Sequence, residues 1–267
     1  MEELPGGTIL VASTFMNDVI QGLWIGERLS VLEQLSIRSF LSHGHPYHLY
    51  VYNDVRGVPE GVELRDANEI LPASMIFYYS EFNRVAGFAN SFRYKLLLDK
   101  GGWWADTDSV CLKPFDFGTE YVISSQLNKD GNEGPNCGNL KAPRGSDFAS
   151  YVWDVCRSKD PSQLRWGETG PELVTEAVEK LGLQAYVKSA ATFCPIPFPK
   201  WADLLDPNPT WKFGPETCAV HLWNEMWCRD GRRKNGLYHE NCLYERLKRQ
   251  YGLGPKTYNR WRHWLIG

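Results

Sequence analysis

The sequence holds no apolar run close to the roughly 18 residues that a membrane-spanning helix needs. It has no internal repeat and no low-complexity tract, so solenoid, collagenous and disordered classes are excluded. Neither sign of charge is in excess: 29 Lys and Arg stand against 32 Asp and Glu, a net of −3. A nucleic-acid binder driven by phosphate attraction is therefore excluded as well. Residues 1–7 carry two glutamates and no basic residue, unlike a signal or transit peptide, so a soluble cytoplasmic protein is expected. The seven cysteines include no CxxC pair, which removes the zinc-ribbon and thioredoxin-type readings. Scattered through apolar and loop contexts, they are expected to be buried free thiols in a reducing compartment.

What is present is a chain of 267 residues, 43% of them hydrophobic, enough for one large domain or two small ones. Eleven tryptophans and 13% aromatic residues stand out. Tryptophans line clefts that stack sugars or nucleobases, and they also fill cores. Composition leaves both open.

The pattern along the chain alternates strand and helix signals. Residues 8–13 (TILVAS) suit a buried strand. Ser30 with Glu33 three residues on has capping-box spacing, and the helix it opens ends near Gly44. Residues 48–52 (HLYVY) read as the next strand, and strand–helix–strand in this order predicts a parallel α/β sheet. A second helix carries Phe88, Phe92 and Leu96 on one face and stops at Gly101-Gly102. Trp103-Trp104-Ala105 is then a short strand delivering Asp106-Thr107-Asp108 at its end. Further strands are expected at 121–125 and 217–223, and helices at 146–157 and 171–181. Five prolines between Pro195 and Pro209 make that stretch irregular. From Arg229 to Arg262, ten Lys or Arg face three Asp or Glu, leaving about −10 on the rest of the chain. A domain over residues 1–228 with a basic extension over 229–267, packed on it or appended to it, is the simplest division.

Asp106 and Asp108 carry the chemistry most clearly. Alternate residues of an extended strand face opposite sides, so two carboxylates spaced in this way serve one site only at a turn. Oxygen ligands of this kind suit a hard divalent ion such as Mn²⁺ or Mg²⁺ that keeps open positions for phosphates. A capped turn explains the same residues. The surrounding segments decide between the two. Residues 88–97 (FANSFRYKLL) followed by GGWWADTD at 101–108 and Lys113-Pro114 resemble the sugar-binding DxD region of glycosyltransferase family 32. Residues 20–26 (IQGLWIG), 166–171 (WGETGP) and 219–224 (AVHLWN) resemble three further segments of that family, in its order.

The resemblance implies a GT-A-type single domain, with a Rossmann-like, mostly parallel central sheet and helices on both faces. It implies a nucleotide-sugar donor, UDP favoured over GDP, a divalent metal, usually Mn²⁺, and a glycan or glycolipid acceptor hydroxyl, with retention of anomeric configuration. In that scheme Trp24 would stack on the nucleobase, although a core tryptophan explains it too. Asp106 would contact ribose, donor sugar and metal, and Asp108 would ligate the metal. His221, with Asn224, would complete the metal–diphosphate shell. Arg93 would reach the donor sugar or diphosphate through its guanidinium fork. The family's aspartate three residues before that arginine is here Asn90, whose amide can still bond a sugar hydroxyl but gives Arg93 no charge partner. Asn136 would be another donor contact, or a turn asparagine. Thr169 and Gly170 open a helix whose free N–H groups favour an anion or sugar hydroxyls, or simply cap it. No general base is assigned. An inverting route would need one, with Glu168 or Asp203 the first suspects.

Two rivals remain. Asp106 and Asp108 also fit the local signature of haloacid-dehalogenase-like phosphatases, and the tryptophans alone would suit a non-catalytic sugar-binding module. The basic extension, with Tyr251, Tyr258, Trp261 and Trp264 interleaved, is a solvated face or a peripheral membrane contact.

Overall fold

The computed structural model describes residues 18–79 and 84–254. The strand expected at 8–13, and Tyr258, Trp261 and Trp264 of the basic tail, lie outside them.

In chain order the described elements are β1 (Ile20–Trp24), α1 (Val31–Ser42), β2 (Tyr47–Val51), β3 (Val62–Asp66), α2 (Ala86–Lys100), β4 (Gly102–Ala105), β5 (Ser109–Cys111), β6 (Val122–Leu127) and β7 (Glu133–Ala142). There follow α3 (Asp147–Ser158), α4 (Leu173–Leu181), α5 (Ala190–Phe193), β8 (Ala219–His221), α6 (Asn224–Arg229) and α7 (Leu243–Gln250). Six strands form one sheet in the order β3-β2-β1-β4-β7-β6. β1 pairs in parallel with both β2 and β4, and β2 with β3, while β7 runs antiparallel to its neighbours β4 and β6. The sheet is mostly parallel, as expected for an α/β chain. β5 and β8 form a separate antiparallel pair.

Strand alternation sorts the core into two layers, one on each face of the sheet. Trp103 packs with Ile20, Leu49, Phe40 of α1 and the C-terminal segment. Trp104, the next residue, packs on the other face with Tyr50, Phe92 of α2, Phe148 of α3 and Val174 of α4. A Trp-Trp pair thus anchors β4 to both layers at once, immediately before the aspartates. The helix caps follow the sequence: Ser30 and Glu33 form the capping box, Ser146 caps α3 through the Ala149 N–H, and α2 stops at Gly101 with φ 68°. A side chain at Gly101 would put its Cβ 2.4 Å from the Arg144 nitrogen.

Three expectations are adjusted. The strand that opens the described sheet is residues 20–24, which carry an internal glycine and were read only as a motif. The helix expected from Pro171 starts at Leu173, because an irregular turn over residues 168–172 contains Gly170 in a non-helical conformation. The late strand is only three residues long, because Trp223 turns out of it with φ 57°. The C-terminal segment is built into the fold: Leu243, Tyr244, Leu247 and Tyr251 are buried in the α1 layer, and the Tyr251 hydroxyl donates to the Cys111 carbonyl at 2.7 Å. All seven cysteines are free thiols, five of them buried. Among the described residues no helix is long and apolar enough to cross a membrane.

Candidate active site

β4 ends just before Asp106, whose N–H donates to the Gly138 carbonyl of β7 at 2.8 Å. The chain then turns, and the Ser109 N–H closes the turn on the Asp106 carbonyl at 2.9 Å. This turn brings the two carboxylates to the same place. β5 follows at once and pairs with β8 in the register Ser109↔His221, so a histidine 113 residues away arrives beside Asp108. His221 Nε2 lies 3.1 Å from Asp108 Oδ1 and 3.9 Å from Asp106 Oδ2. The left-handed backbone of Trp223 redirects the chain so that the Asn224 N–H donates to Asp108 Oδ2 at 2.7 Å. A bulky residue with positive φ is costly and persists where the surroundings fix it. Here the Trp223 indole donates to the Ile196 carbonyl at 2.8 Å and its ring lies 4.1 Å from the His221 ring.

Asp106 is gripped on one oxygen. Arg93 Nη2 lies 3.1 Å from Oδ1, and the Trp104 indole N–H donates to the same atom at 2.9 Å. Arg93 is buried; it also donates to the Cys137 carbonyl and, at 3.4 Å, to the Ala89 carbonyl, with its guanidinium 5.0 Å over the Trp104 ring. Arg93 therefore orients Asp106, and its charge partner, which the sequence left unassigned once position 90 was asparagine, is Asp106 itself.

Burial raises the Asp106 carboxyl, and the opposing pull of Arg93 does not cancel it. Burial acts on Asp108 in the same sense, yet the imidazole of His221 and the hydrogen bonds it receives hold its carboxyl below the usual range. Burial disfavours a charged His221, but the Asp108 carboxylate raises it well above an ordinary histidine. One ligand atom from each of Asp106, Asp108 and His221 lies within 4.8 Å of the others. Two carboxylates and an imidazole fit Mn²⁺ or Mg²⁺, and a bound cation would relieve the crowding of two acidic groups. Asn224 contributes to this cluster its backbone N–H.

The cluster stands in a cleft of about 880 Å³. Trp24 lines it at the end of β1; its indole Nε1 is buried with no hydrogen-bond partner among the described residues, and the Lys234 ammonium lies 5.5 Å from its ring. Asn90 and Asn136 also line it. Asn136 is a network residue rather than a turn asparagine: its amide donates to Gln126 at 2.6 Å and accepts from the Gly138 N–H at 2.5 Å. Four expected residues stand elsewhere. Thr169 and Gly170 lie behind the wall, where the Thr169 hydroxyl accepts from Asn90 at 3.3 Å and its carbonyl accepts from the Tyr94 hydroxyl at 3.0 Å. In their turn the Gly170 and Glu172 N–H groups bond the Gly167 carbonyl, and Pro171 has no N–H. Glu168 is held outside by Lys159 at 3.0 Å and by the Arg165 N–H at 3.1 Å, which lowers its carboxyl. Asp203 accepts from the Trp211 indole at 2.9 Å. Neither lines the cleft, so the two suspects for a general base are withdrawn. The carboxylates that do line it besides the aspartate pair, Glu172 and Glu225, are paired with Arg165 and with Arg84 and Arg229.

Sequence reasoning missed Trp104, Cys137 and Trp223. Only Trp104 left a signal: two residues before Asp106 on a strand, it shares that residue's face. The tryptophans serve both purposes left open above: Trp103 and Trp227 are wholly buried, Trp104 and Trp223 are buried and also border the cleft, and the more exposed Trp24 and Trp166 line it.

Residues 162–260 match the family described as the alpha 1,4-glycosyltransferase conserved region. The match includes His221 and the turn at 168–171 and leaves out the aspartate pair. It agrees with the glycosyltransferase resemblance and favours it over the phosphatase and the sugar-binding module. No curated protein matches the chain. Among solved structures it is similar to the PaToxG glycosyltransferase, at 16% identity over 64% of this chain and 72% of that one, with a TM-score of 0.46. It is also similar to an active-site mutant of LgtC, at 11% identity over 91% and 98% of the two chains, with a TM-score of 0.45. A third is the catalytic domain of alpha-toxin from Clostridium novyi, at 9% identity over 95% and 83%, with a TM-score of 0.33.

Proposed function

We propose that the chain is a metal-dependent, GT-A-type glycosyltransferase that moves a sugar from a nucleotide-sugar donor, UDP favoured, to a glycan hydroxyl with retention of configuration. The observation that carries this is the convergence of Asp106, Asp108 and His221 within 4.8 Å in a cleft large enough for a nucleotide sugar. The family match over residues 162–260 supports the transfer class.

Asp106, Asp108 and His221 would hold Mn²⁺ or Mg²⁺, which when bound supplies positive charge to a departing diphosphate. The protein's own part is to fix those ligands. Arg93 and Trp104 occupy Oδ1 of Asp106 and leave Oδ2 turned toward the cluster, and the Asn224 N–H fixes Asp108. Preorganised groups of this kind spend no reorganisation energy at the moment of reaction. Trp24 offers its ring at the cleft wall for the nucleobase. In the reaction the bond from the anomeric carbon to the diphosphate oxygen breaks, and a bond from that carbon to the acceptor oxygen forms on the same face. The acceptor proton ends on the departing phosphate, which agrees with a cleft whose remaining carboxylates are tied to arginines. Release of UDP from UDP-sugars in Mn²⁺, without acceptor, tests the reading. Turnover abolished by EDTA and by Asp108→Asn is expected; release of phosphate from simple phosphomonoesters instead would overturn it.

A further inference from the structure

Trp24 is backed by the C-terminal segment. The Lys234 ammonium lies 5.5 Å from the centre of its ring. Trp24 lines the cleft and Lys234 does not, so the charge meets the indole from outside the cleft. Lys234 is itself held by the capping box of α1. Its ammonium donates to Glu33 Oε1 at 2.5 Å, while Glu33 Oε2 accepts from the Ser30 N–H at 2.7 Å. Glu33 is buried, and a buried carboxylate is costly unless a cation and hydrogen bonds satisfy it. The helix cap thus gives one oxygen to its own helix and the other to a lysine 201 residues away.

The loop that carries Lys234 has no regular secondary structure, yet three successive residues of it are pinned. The Tyr244 hydroxyl of α7 donates to the Lys234 carbonyl at 2.6 Å, Asn235 Oδ1 accepts from the Val31 N–H at 2.7 Å, and the buried Lys248 ammonium donates to the Gly236 carbonyl at 3.1 Å. The edge of the Trp24 ring is closed as well: a Cβ at Gly26 would sit 3.3 Å from Nε1. The ammonium is therefore placed before any ligand arrives, and so is the ring it rests on.

We infer that Lys234 and Glu33 are positioning residues for nucleotide binding, fixing the Trp24 ring as a platform for the base. This rests on the nucleotide-sugar reading above and adds two residues to that same site. A tryptophan held on its outer side keeps its cleft side for the base, and the ordering of its side chain is not charged to binding. The segment after α6, which the sequence set apart as an extension, then belongs to the nucleotide-binding half of the fold.

Calorimetry in excess Mn²⁺ tests the inference with two probes: UDP, and inorganic pyrophosphate, which has the diphosphate but no base. The double variant Glu33→Gln/Lys234→Met removes both charges together, so no buried carboxylate is left alone, and the glutamine oxygen can still accept from the Ser30 N–H. UDP affinity should fall about 3- to 30-fold, the range a cation–π contact spans, with pyrophosphate affinity kept within about twofold. Lys234→Arg, which keeps the cation and the pair, should bind UDP as the wild type does. In a Trp24→Leu background, adding the double variant should leave UDP affinity where it is, because the ring through which the pair acts is gone. Unchanged UDP affinity in the double variant overturns the inference, as does a parallel loss of UDP and pyrophosphate, and both leave the transferase reading standing. Failure of UDP to bind the wild type overturns the transferase reading, and the inference with it.

Discussion

Replacing Arg93 with methionine removes the cation beside Asp106 while filling most of its volume. Breaking a buried ion pair from one side costs about 3–5 kcal/mol, because the surviving charge is left uncompensated. Asp106 retains 23% side-chain exposure, so the loss should sit near about 3 kcal/mol. At roughly 2–4 °C per kcal/mol for a chain of this size, the metal-free variant should melt about 6–12 °C below the wild type. The sign of the pH dependence follows from burial, which already raises the Asp106 carboxyl above its unfolded value and raises it further once Arg93 is gone. A raised carboxyl destabilises the fold increasingly as pH climbs from the unfolded value toward the folded one. The deficit should thus be full at neutral pH and shrink toward acid. Mn²⁺ should stabilise the variant more than the wild type, since the ion replaces the missing charge. Thermal unfolding in EDTA across pH 5–8, repeated with Mn²⁺, reads all three effects. A deficit indifferent to both pH and metal would mean that Arg93 only fills space.

Trp104→Phe keeps the ring but deletes the indole N–H that bonds Asp106 Oδ1. Mn²⁺ affinity, read by the loss of the free-ion paramagnetic resonance signal, should fall about 10- to 100-fold, as for other groups that orient a ligand. An unchanged affinity would remove Trp104 from the site. Because Asp108 holds His221 protonated above the ordinary histidine range, and only neutral imidazole ligates, Mn²⁺ affinity should rise with pH until that proton is lost. Calorimetry in buffers of different ionisation heat should show proton release on binding; an affinity flat between pH 6 and 8 contradicts it.

How much of this was legible in the sequence depends on whether the signal was local. The capping box at Ser30 and Glu33, the Gly101 stop, the Trp103-Trp104 strand and the helix expected over 146–157 are short-range patterns, and each is found in place. Residues 20–24 were legible only as a motif, because Gly22 and Gln21 blur the strand signal. Gly22 is required by space, a Cβ there lying 2.6 Å from the Tyr47 hydroxyl. The partnership of Asp108 with His221 depends on pairing between two three-residue strands more than a hundred positions apart, which no periodicity records; only the family resemblance suggested it. For Thr169 and Gly170 the sequence left a donor contact and a plain helix start both open for the same reason. A helix-start pattern says nothing about which side of the wall its N–H groups face.

The central claim is that the aspartate–histidine cluster and the cleft around it bind metal and nucleoside diphosphate together. Titration of UDP into the protein by calorimetry, once in EDTA and once in excess Mn²⁺, tests that directly. The account predicts binding in Mn²⁺ that disappears in EDTA and in Asp108→Asn. Equal UDP affinity with and without the ion, or no binding in either, would contradict it.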